Sequence, residues 1–372
     1  MSSGKINGFS PARFLREYWQ KKPLLIRNAF PNFKEILNKR DLISLSANED
    51  IQSRLVSSNR GKWKLSYGPF ESQDFMKKAG NWTLLVQGLN NFLPEGQALL
   101  NCFNFIPHTR LDDLMVSFAP DGGGVGPHFD SYDVFLLQGK GKRLWQISAQ
   151  ADQSLIPDIQ LRILENFKAE QEWVLEPGDM LYLPPNYAHN GVAIGESMTY
   201  SIGFRAPSYQ ELANQFLFYL QDQLELDGLY KDPELKVTKN PGQIPEAMIN
   251  KISIELKKIR FGNYEIKEFL GKYLSEPKSH LFFDIPESPY KQEKFLKLAK
   301  KHGIILDLKS QLLFTEESFF INSESFSFHP GMKPILKKLS NEREVVLPAK
   351  INNHTLELLY EWYLNGYIHI KA

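Results

Sequence analysis

Between Leu111 and Phe204 the sequence breaks into short β-prone runs: Leu114–Phe118, Gly126–Leu137, Arg143–Ser148, Glu172–Leu175, Met180–Leu183, Gly191–Ile194 and Thr199–Phe204. Turn-forming stretches separate them, among them Pro120-Asp121-Gly122-Gly123-Gly124, Gly139-Lys140-Gly141 and Pro177-Gly178-Asp179. Short strands at this rhythm predict a barrel or a double sheet. The aromatic content of 13%, with 26 Phe and 15 Tyr, favours β structure with large packed cores. Residues 151–170 are expected to form a helical insertion, and Gly139–Lys142 a hairpin turn.

The flanking segments read differently. Ser10-Pro11 ahead of Phe14, Leu15, Tyr18 and Trp19 predicts a capped amphipathic helix with Pro at its first position. Pro23–Ile26 reads as a short strand, and Asp41 as the cap of a helix through Leu45. Lys62–Tyr67 and Trp82–Gln87 read as strands, and Pro94–Phe103 as a helix. After Ala206-Pro207 the periodicity becomes helical, with Leu212, Phe216, Tyr219, Leu220 and Leu224 on one face. Further helices are predicted at 245–260 and 264–274. Such an apolar face is either core or a dimer surface. From about residue 281, helices at 290–301, 330–339 and 354–365 with strands at 304–308 and 318–321 suggest a winged-helix-like module.

Composition narrows the function classes. At 372 residues the chain is long enough for two or three domains. Net charge is +1, from 44 basic and 43 acidic residues, so no overall electrostatic case for nucleic-acid binding exists. Cys102 is the only cysteine, which leaves no intramolecular disulfide and fits a reducing, cytoplasmic setting. No secretory leader and no apolar run long enough for a membrane span are read.

The chemistry concentrates in Gly126-Pro127-His128-Phe129-Asp130, with His189 following Pro184-Pro185-Asn186-Tyr187-Ala188. In a strand, residues i and i+2 share a face, so His128 and Asp130 would present an imidazole and a carboxylate side by side. A second imidazole, His189, would complete two nitrogens and one oxygen on one face of a metal. That set leaves the opposite face open, the pattern of non-heme Fe(II) oxygenases. An open-faced Fe(II) needs a chelating anionic co-substrate such as 2-oxoglutarate, whose far carboxylate needs a fixed cation. The planar fork of Arg143 suits it; the alternative is an exposed charge at a hairpin end. Tyr132 falls on the face of His128 and Asp130. It is either a ring on which a cation could stack or a core tyrosine with its hydroxyl satisfied. His108, His280, His302, His329, His354 and His369 have no partner at ligand spacing and are expected to be surface or internally satisfied residues.

These residues resemble a family. Leu114–Phe118, the segment Gly126-Pro127-His128-Phe129-Asp130-Ser131-Tyr132-Asp133 continuing to Gly139, Gly141-Lys142-Arg143-Leu144-Trp145, Glu176–Pro185 and Tyr200–Pro207 are similar to the JmjC-type cupin oxygenases. The closer likeness is to the bacterial ribosomal oxygenases, which hydroxylate an arginine of a large-subunit ribosomal protein. The resemblance spans about residues 10–215. It implies an α+β chain: a double-stranded β-helix (jelly-roll, cupin) core over 1–207, a helical dimerisation region over 208–280 and a C-terminal winged-helix domain over 281–372. It assigns Fe(II) to His128, Asp130 and His189, and the far carboxylate of 2-oxoglutarate to Arg143 with Ser117 as hydroxyl partner. Phe129, Ser131 and Asn190 depart from the family pattern, where Leu, Gln and an acidic residue are expected.

The expected function is therefore an Fe(II)- and 2-oxoglutarate-dependent protein hydroxylase using dioxygen. Its expected partners are a ribosomal protein and a second copy of the chain. The alternatives are a histidine hydroxylase or lysine demethylase of the same superfamily, a non-catalytic metal-binding cupin, or a DNA-binding regulator.

Overall fold

A computed structural model describes residues 6–76 and 81–371. The first helix, α1 (Pro11–Glu17), starts as its residues dictate: Ser10 caps it, accepting from the Arg13 N–H, and Pro11 opens the first turn. Its one buried residue, Phe14, packs edge-on against Tyr182 at 4.7 Å. Strand β1 (Leu24–Ile26) and helix α2 (Lys39–Leu45) follow. The α2 cap corrects the sequence reading. Asn38 is the N-cap, and Asp41 sits at the third helical position, where its carboxylate accepts from the Asn38 N–H at 3.0 Å. Strand β2 (Ser53–Asn59), not anticipated from the sequence, pairs with β3 (Lys62–Tyr67) and, after α3 (Gln73–Met76), with β4 (Asn81–Val86). Helix α4 (Pro94–Asn101) leads into the barrel.

The barrel is carried by three long strands: β5 (Leu111–Ala119), β6 (Val134–Ser148) and β9 (Ala188–Phe204). The shorter β7 (Gln171–Leu175) and β8 (Met180–Leu183) complete a sheet ordered β1-β8-β6-β9-β5-β4-β2-β3, with β7 beside β6. All pairings in it are antiparallel. Strand β6 runs against β9 along nearly its whole length, against β8 with its first half and against β7 with its second. One continuous pair of strands thus turns through both faces of a double-stranded β-helix. Side-chain alternation sorts the layers: Phe135 and Leu137 enter the aromatic core with Phe14, Phe103, Tyr182 and Phe204, while Val134 and Leu136 point to a second cluster with Trp145 and Ile147.

Three sequence expectations for this region are corrected. Gly139–Lys142 is no hairpin; the ladder continues through it with irregularities at Gln138/Lys140 and Lys140/Lys142. Gly141 makes this bend with φ +60°, and a Cβ there would lie 1.9 Å from the Glu196 carbonyl oxygen. The stretch Gly126–Asp133 is not a ladder strand. Gly126 at φ +83° and Pro127, which lacks an N–H, interrupt pairing, and only an isolated bridge between His128 and His189 forms. Residues 151–170 hold no helix. Pro157 and the side-chain bonds of Gln150, Asp152 and Asn166 favour an irregular loop, closed by a Leu155–Leu164 bridge and tied to the site by Leu164 N–H donating to the Pro127 carbonyl at 2.8 Å.

Beyond the barrel come α5 (Tyr209–Gln223), capped by Ser208, α6 (Glu246–Leu256) and α7 (Asn263–Ser275). Phe216 of α5 packs on Phe269 of α7 at 5.3 Å. Many other apolar side chains here stay in water, including Leu217 and Phe218, each 63% exposed. The C-terminal part comprises α8 (Gln292–His302), β10 (Ile304–Leu306), β11 (Leu312–Phe314), β12 (Ser318–Ile321), β13 (Glu324–Ser327), α9 (Lys333–Glu342), β14 (Glu344–Val345), α10 (Asn353–Leu364) and β15 (Ile368–Ile370). The meander β11-β12-β13 is the wing, and Phe295, Phe319, Leu336, Leu339 and Trp362 share one core beneath it. Among the described residues no helix is long and apolar enough to cross a membrane.

Candidate active site

His128, Asp130 and His189 come together at the mouth of the barrel. One ligand atom from each lies within 4.8 Å of the others, and this is the sole such cluster among the described residues. Asp130 stands 4.0 Å from His128 Nε2 and 3.7 Å from His189 Nε2, and the two imidazole centroids are 4.2 Å apart. The backbone fixes this approach. His128 and His189 exchange both N–H···O=C bonds, at 2.9 and 2.7 Å, so the interrupted strand is stitched to β9 at the one position that matters.

The tautomers follow from the partners. His128 Nδ1 faces the Gly126 carbonyl at 2.9 Å and His189 Nδ1 faces the Tyr187 carbonyl at 3.0 Å. A carbonyl oxygen only accepts, so each Nδ1 carries a proton and each Nε2 is the nitrogen turned toward Asp130. Burial, with His128 alongside, pushes the His189 imidazole down to about 4, which keeps it neutral. Two imidazole Nε2 atoms and a carboxylate, with a cavity on their open side, match the donor set of a divalent metal such as iron.

That cavity has a volume of about 440 Å³ and is lined by all six residues singled out in the sequence: Ser117, His128, Asp130, Tyr132, Arg143 and His189. Arg143 is only 4% exposed, so it is not a charge at a hairpin end. Burial lowers its guanidinium to about 10, which still leaves it charged at neutral pH. Its Nε reaches Ser197 Oγ at 3.4 Å, while its Nη2 is buried with no hydrogen-bond partner. Two more cavity-lining donors share that condition, Trp145 Nε1 and Thr83 Oγ1. Buried polar groups are rarely left unpaired, and a buried unpaired cation is more unfavourable still. Three unsatisfied donors around one cavity describe a receptor for an anion. Trp145 stands between the two ends of the site: its ring is 5.8 Å from Arg143 Cζ and 5.9 Å from the His189 ring. Ser117 Oγ has only a 3.5 Å contact to the Thr199 carbonyl.

Tyr132 is 38% exposed, and burial together with Asp130 raises its phenol so that it stays protonated. Strand alternation does not place it, since its segment is not a strand, yet it faces the same cavity. The sequence reading missed Thr83, Asp113 and Trp145. Asp113, Met115 and Ser117 lie at i, i+2 and i+4 on β5 and all line the cavity, so alternation outward from Ser117 leads to Asp113. Trp145 follows from Arg143 in the same way. Asp113 is buried, and burial raises its carboxyl despite Lys278 at 3.9 Å. Thr83 has no sequence signal, because only the pairing of β4 with β5 brings it to the cavity.

Comparison with known proteins agrees with this geometry. Residues 98–212 match the JmjC domain and residues 259–369 the ROXA-like winged helix. The chain is 36% identical over 297 residues to the ribosomal protein uL16 3-hydroxylase of Escherichia coli, covering 79% of each chain. It is 40% identical over 234 residues to a probable ribosomal oxygenase of Haemophilus influenzae, covering 62% of this chain and 56% of that one. Among solved structures, E. coli YcfD superposes with a TM-score of 0.85 at 32% identity, covering 98% of this chain and 99% of that one. YcfD in complex with cobalt and 2-oxoglutarate superposes with a TM-score of 0.82 at 31% identity, covering 99% of each. A His-Asp-His cluster at a barrel mouth, a buried guanidinium across its cavity and a winged C-terminal domain together make the chain a member of the JmjC ribosomal oxygenase family.

Proposed function

We propose that this protein is an Fe(II)- and 2-oxoglutarate-dependent dioxygenase that hydroxylates an arginine of a large-subunit ribosomal protein. The observation that carries the reading is the unpaired Arg143 guanidinium sharing a cavity with His128, Asp130 and His189. In this assignment the three side chains hold Fe(II), with the Nε2 lone pairs and the Asp130 carboxylate as donors. Arg143 takes the far carboxylate of 2-oxoglutarate, with Ser117 beside it. Bound Fe(II) supplies the redox chemistry that activates dioxygen. Overall, one oxygen atom goes to the substrate carbon as hydroxyl, the other to succinate, and carbon dioxide is released. The residues of this chain orient both co-substrates and exclude water, and the Gly126 and Tyr187 carbonyls keep the imidazoles in register.

Arginine as the target is supported by the substrate end of the cavity. Asp113 and the Tyr132 ring face it, one as a carboxylate for a guanidinium and the other as a stacking surface. A proposed domain boundary at about 207 is supported by the end of β9, and the exposed apolar residues of α5 and α6 support a homodimer. The deciding experiment compares intact masses of large-subunit ribosomal proteins from cells with the active gene and with a deletion. A +16 shift on one protein, mapped to arginine by fragmentation, is the expected result. No shift, or release of formaldehyde from a methyl-lysine peptide, removes the assignment.

A further inference from the structure

A second group of metal-capable side chains lies in the C-terminal part, outside the cavity already described. His329, in the segment joining β13 to α9, and His354, in the first turn of α10, are 25 positions apart in sequence, yet their ring centroids lie 4.0 Å apart. This corrects the expectation that neither has an imidazole partner. The pair in the barrel, His128 and His189, stands at 4.2 Å, so the two juxtapositions are equally close. Backbone contacts hold the second pair in place. Asn352, the α10 cap, donates from Nδ2 to the Pro330 carbonyl at 2.8 Å, and the Met332 N–H donates to the His329 carbonyl at 3.1 Å.

Carboxylates complete the set. Glu357 follows His354 by three positions and Glu361 by seven, so all three share one face of α10. Both histidines and both glutamates line a cavity of about 270 Å³ between α10 and the wing. Among the described residues neither glutamate has a salt-bridge partner, and the nearby Lys333 and Lys337 are engaged by Glu316. The cavity therefore carries unneutralised carboxylates next to two exposed imidazoles, an environment suited to a cation. The positive end of α10 opposes a cation near His354, but that field is screened at the surface, and Glu357 offsets it.

We propose that His329 and His354, with Glu357 as third ligand, form a divalent transition-metal site that clamps the exit of the wing to α10. Among the described residues only His128, Asp130 and His189 already lie within mutual ligand reach, so the Glu357 side chain must turn toward the imidazole pair when the metal binds. Two imidazole nitrogens and a carboxylate on a solvent-facing site suit Zn²⁺, with water completing the shell.

The test uses the full chain without a histidine tag, dialysed against micromolar Zn²⁺ and assayed by elemental analysis. Wild type is expected to hold two equivalents, His128→Ala and His354→Ala one each, and the double variant none. In the His128→Ala background Zn²⁺ is expected to raise the melting temperature, and Glu357→Gln or His329→Gln to abolish the rise. Circular dichroism confirms that each variant is folded, and the two milder substitutions stand in should His354→Ala fail to fold. The proposal is overturned if His128→Ala takes up no zinc, or if the second equivalent survives substitution of His329, His354 and Glu357. Because the barrel site is silenced in the deciding variant, the outcome is independent of the proposed hydroxylase activity.

Discussion

Arg143, proposed to hold the far carboxylate of 2-oxoglutarate, is unfavourable for the stability of the ligand-free fold. Its Nη2 is buried without a partner, so the protein carries an uncompensated cation until an anion arrives. Replacing Arg143 with Met is expected to weaken 2-oxoglutarate binding about 100-fold, the loss of charge-assisted hydrogen bonds. The same variant, free of ligand, is expected to be more stable than wild type by about 1–4 kcal/mol. Calorimetric titration and chemical denaturation read the two effects separately, and a less stable variant would contradict the role given to burial. His189 sets a pH dependence. Its folded value of about 4 lies below the ordinary 6.5, so the unfolded chain takes up a proton first as pH falls. The stability of metal-free protein is therefore expected to be undiminished by this residue above pH 6.5 and to fall by about 3 kcal/mol between there and pH 4. Denaturation midpoints across that window, compared with His189→Gln, which lacks the titration, check the sign.

Among the elements, β6 departs furthest from its sequence. Read locally, Gly139–Lys142 is a hairpin; in the fold it is a bend in one strand that carries Phe135 into the core and Arg143 into the cavity. Gly141→Ala would place a methyl against the Glu196 carbonyl in a left-handed conformation. It is expected to destabilise the protein by about 3 kcal/mol and to lower 2-oxoglutarate affinity by shifting Arg143. Ordinary stability with unchanged affinity would mean that the bend does not position the guanidinium. The candidate metal ligands, His128, Asp130 and His189, were legible because each sits in a short motif with local punctuation. The strand expected to carry two of them was not, because Gly126 and Pro127 break the ladder while the single His128–His189 bridge preserves the geometry. The loop 151–170 looked helical in isolation, but its side chains bond to its own backbone and it is pinned to Pro127.

On the scale of the whole molecule, the barrel carries the cavity of His128, Asp130 and His189, the helical region an exposed apolar surface, and the winged part a core of its own. Leu217→Glu combined with Ile254→Glu is expected to convert the proposed dimer to a monomer in light scattering while leaving metal binding intact, since both residues face water and neither lines the barrel cavity. A wild-type protein that already runs as a monomer would remove the dimer. Residue types and spacing alone determined most of the helices, the succession of short barrel strands, the choice of His128, Asp130 and His189, and the winged character of the C-terminal part, because caps, turns and alternation act between near neighbours along the chain. Only the tertiary structure decided that β6 is continuous, that Thr83 shares the cavity with Arg143, and that His329 meets His354. Those relations depend on which strands pair and which loops close over them, and no local preference encodes contacts between distant stretches of chain.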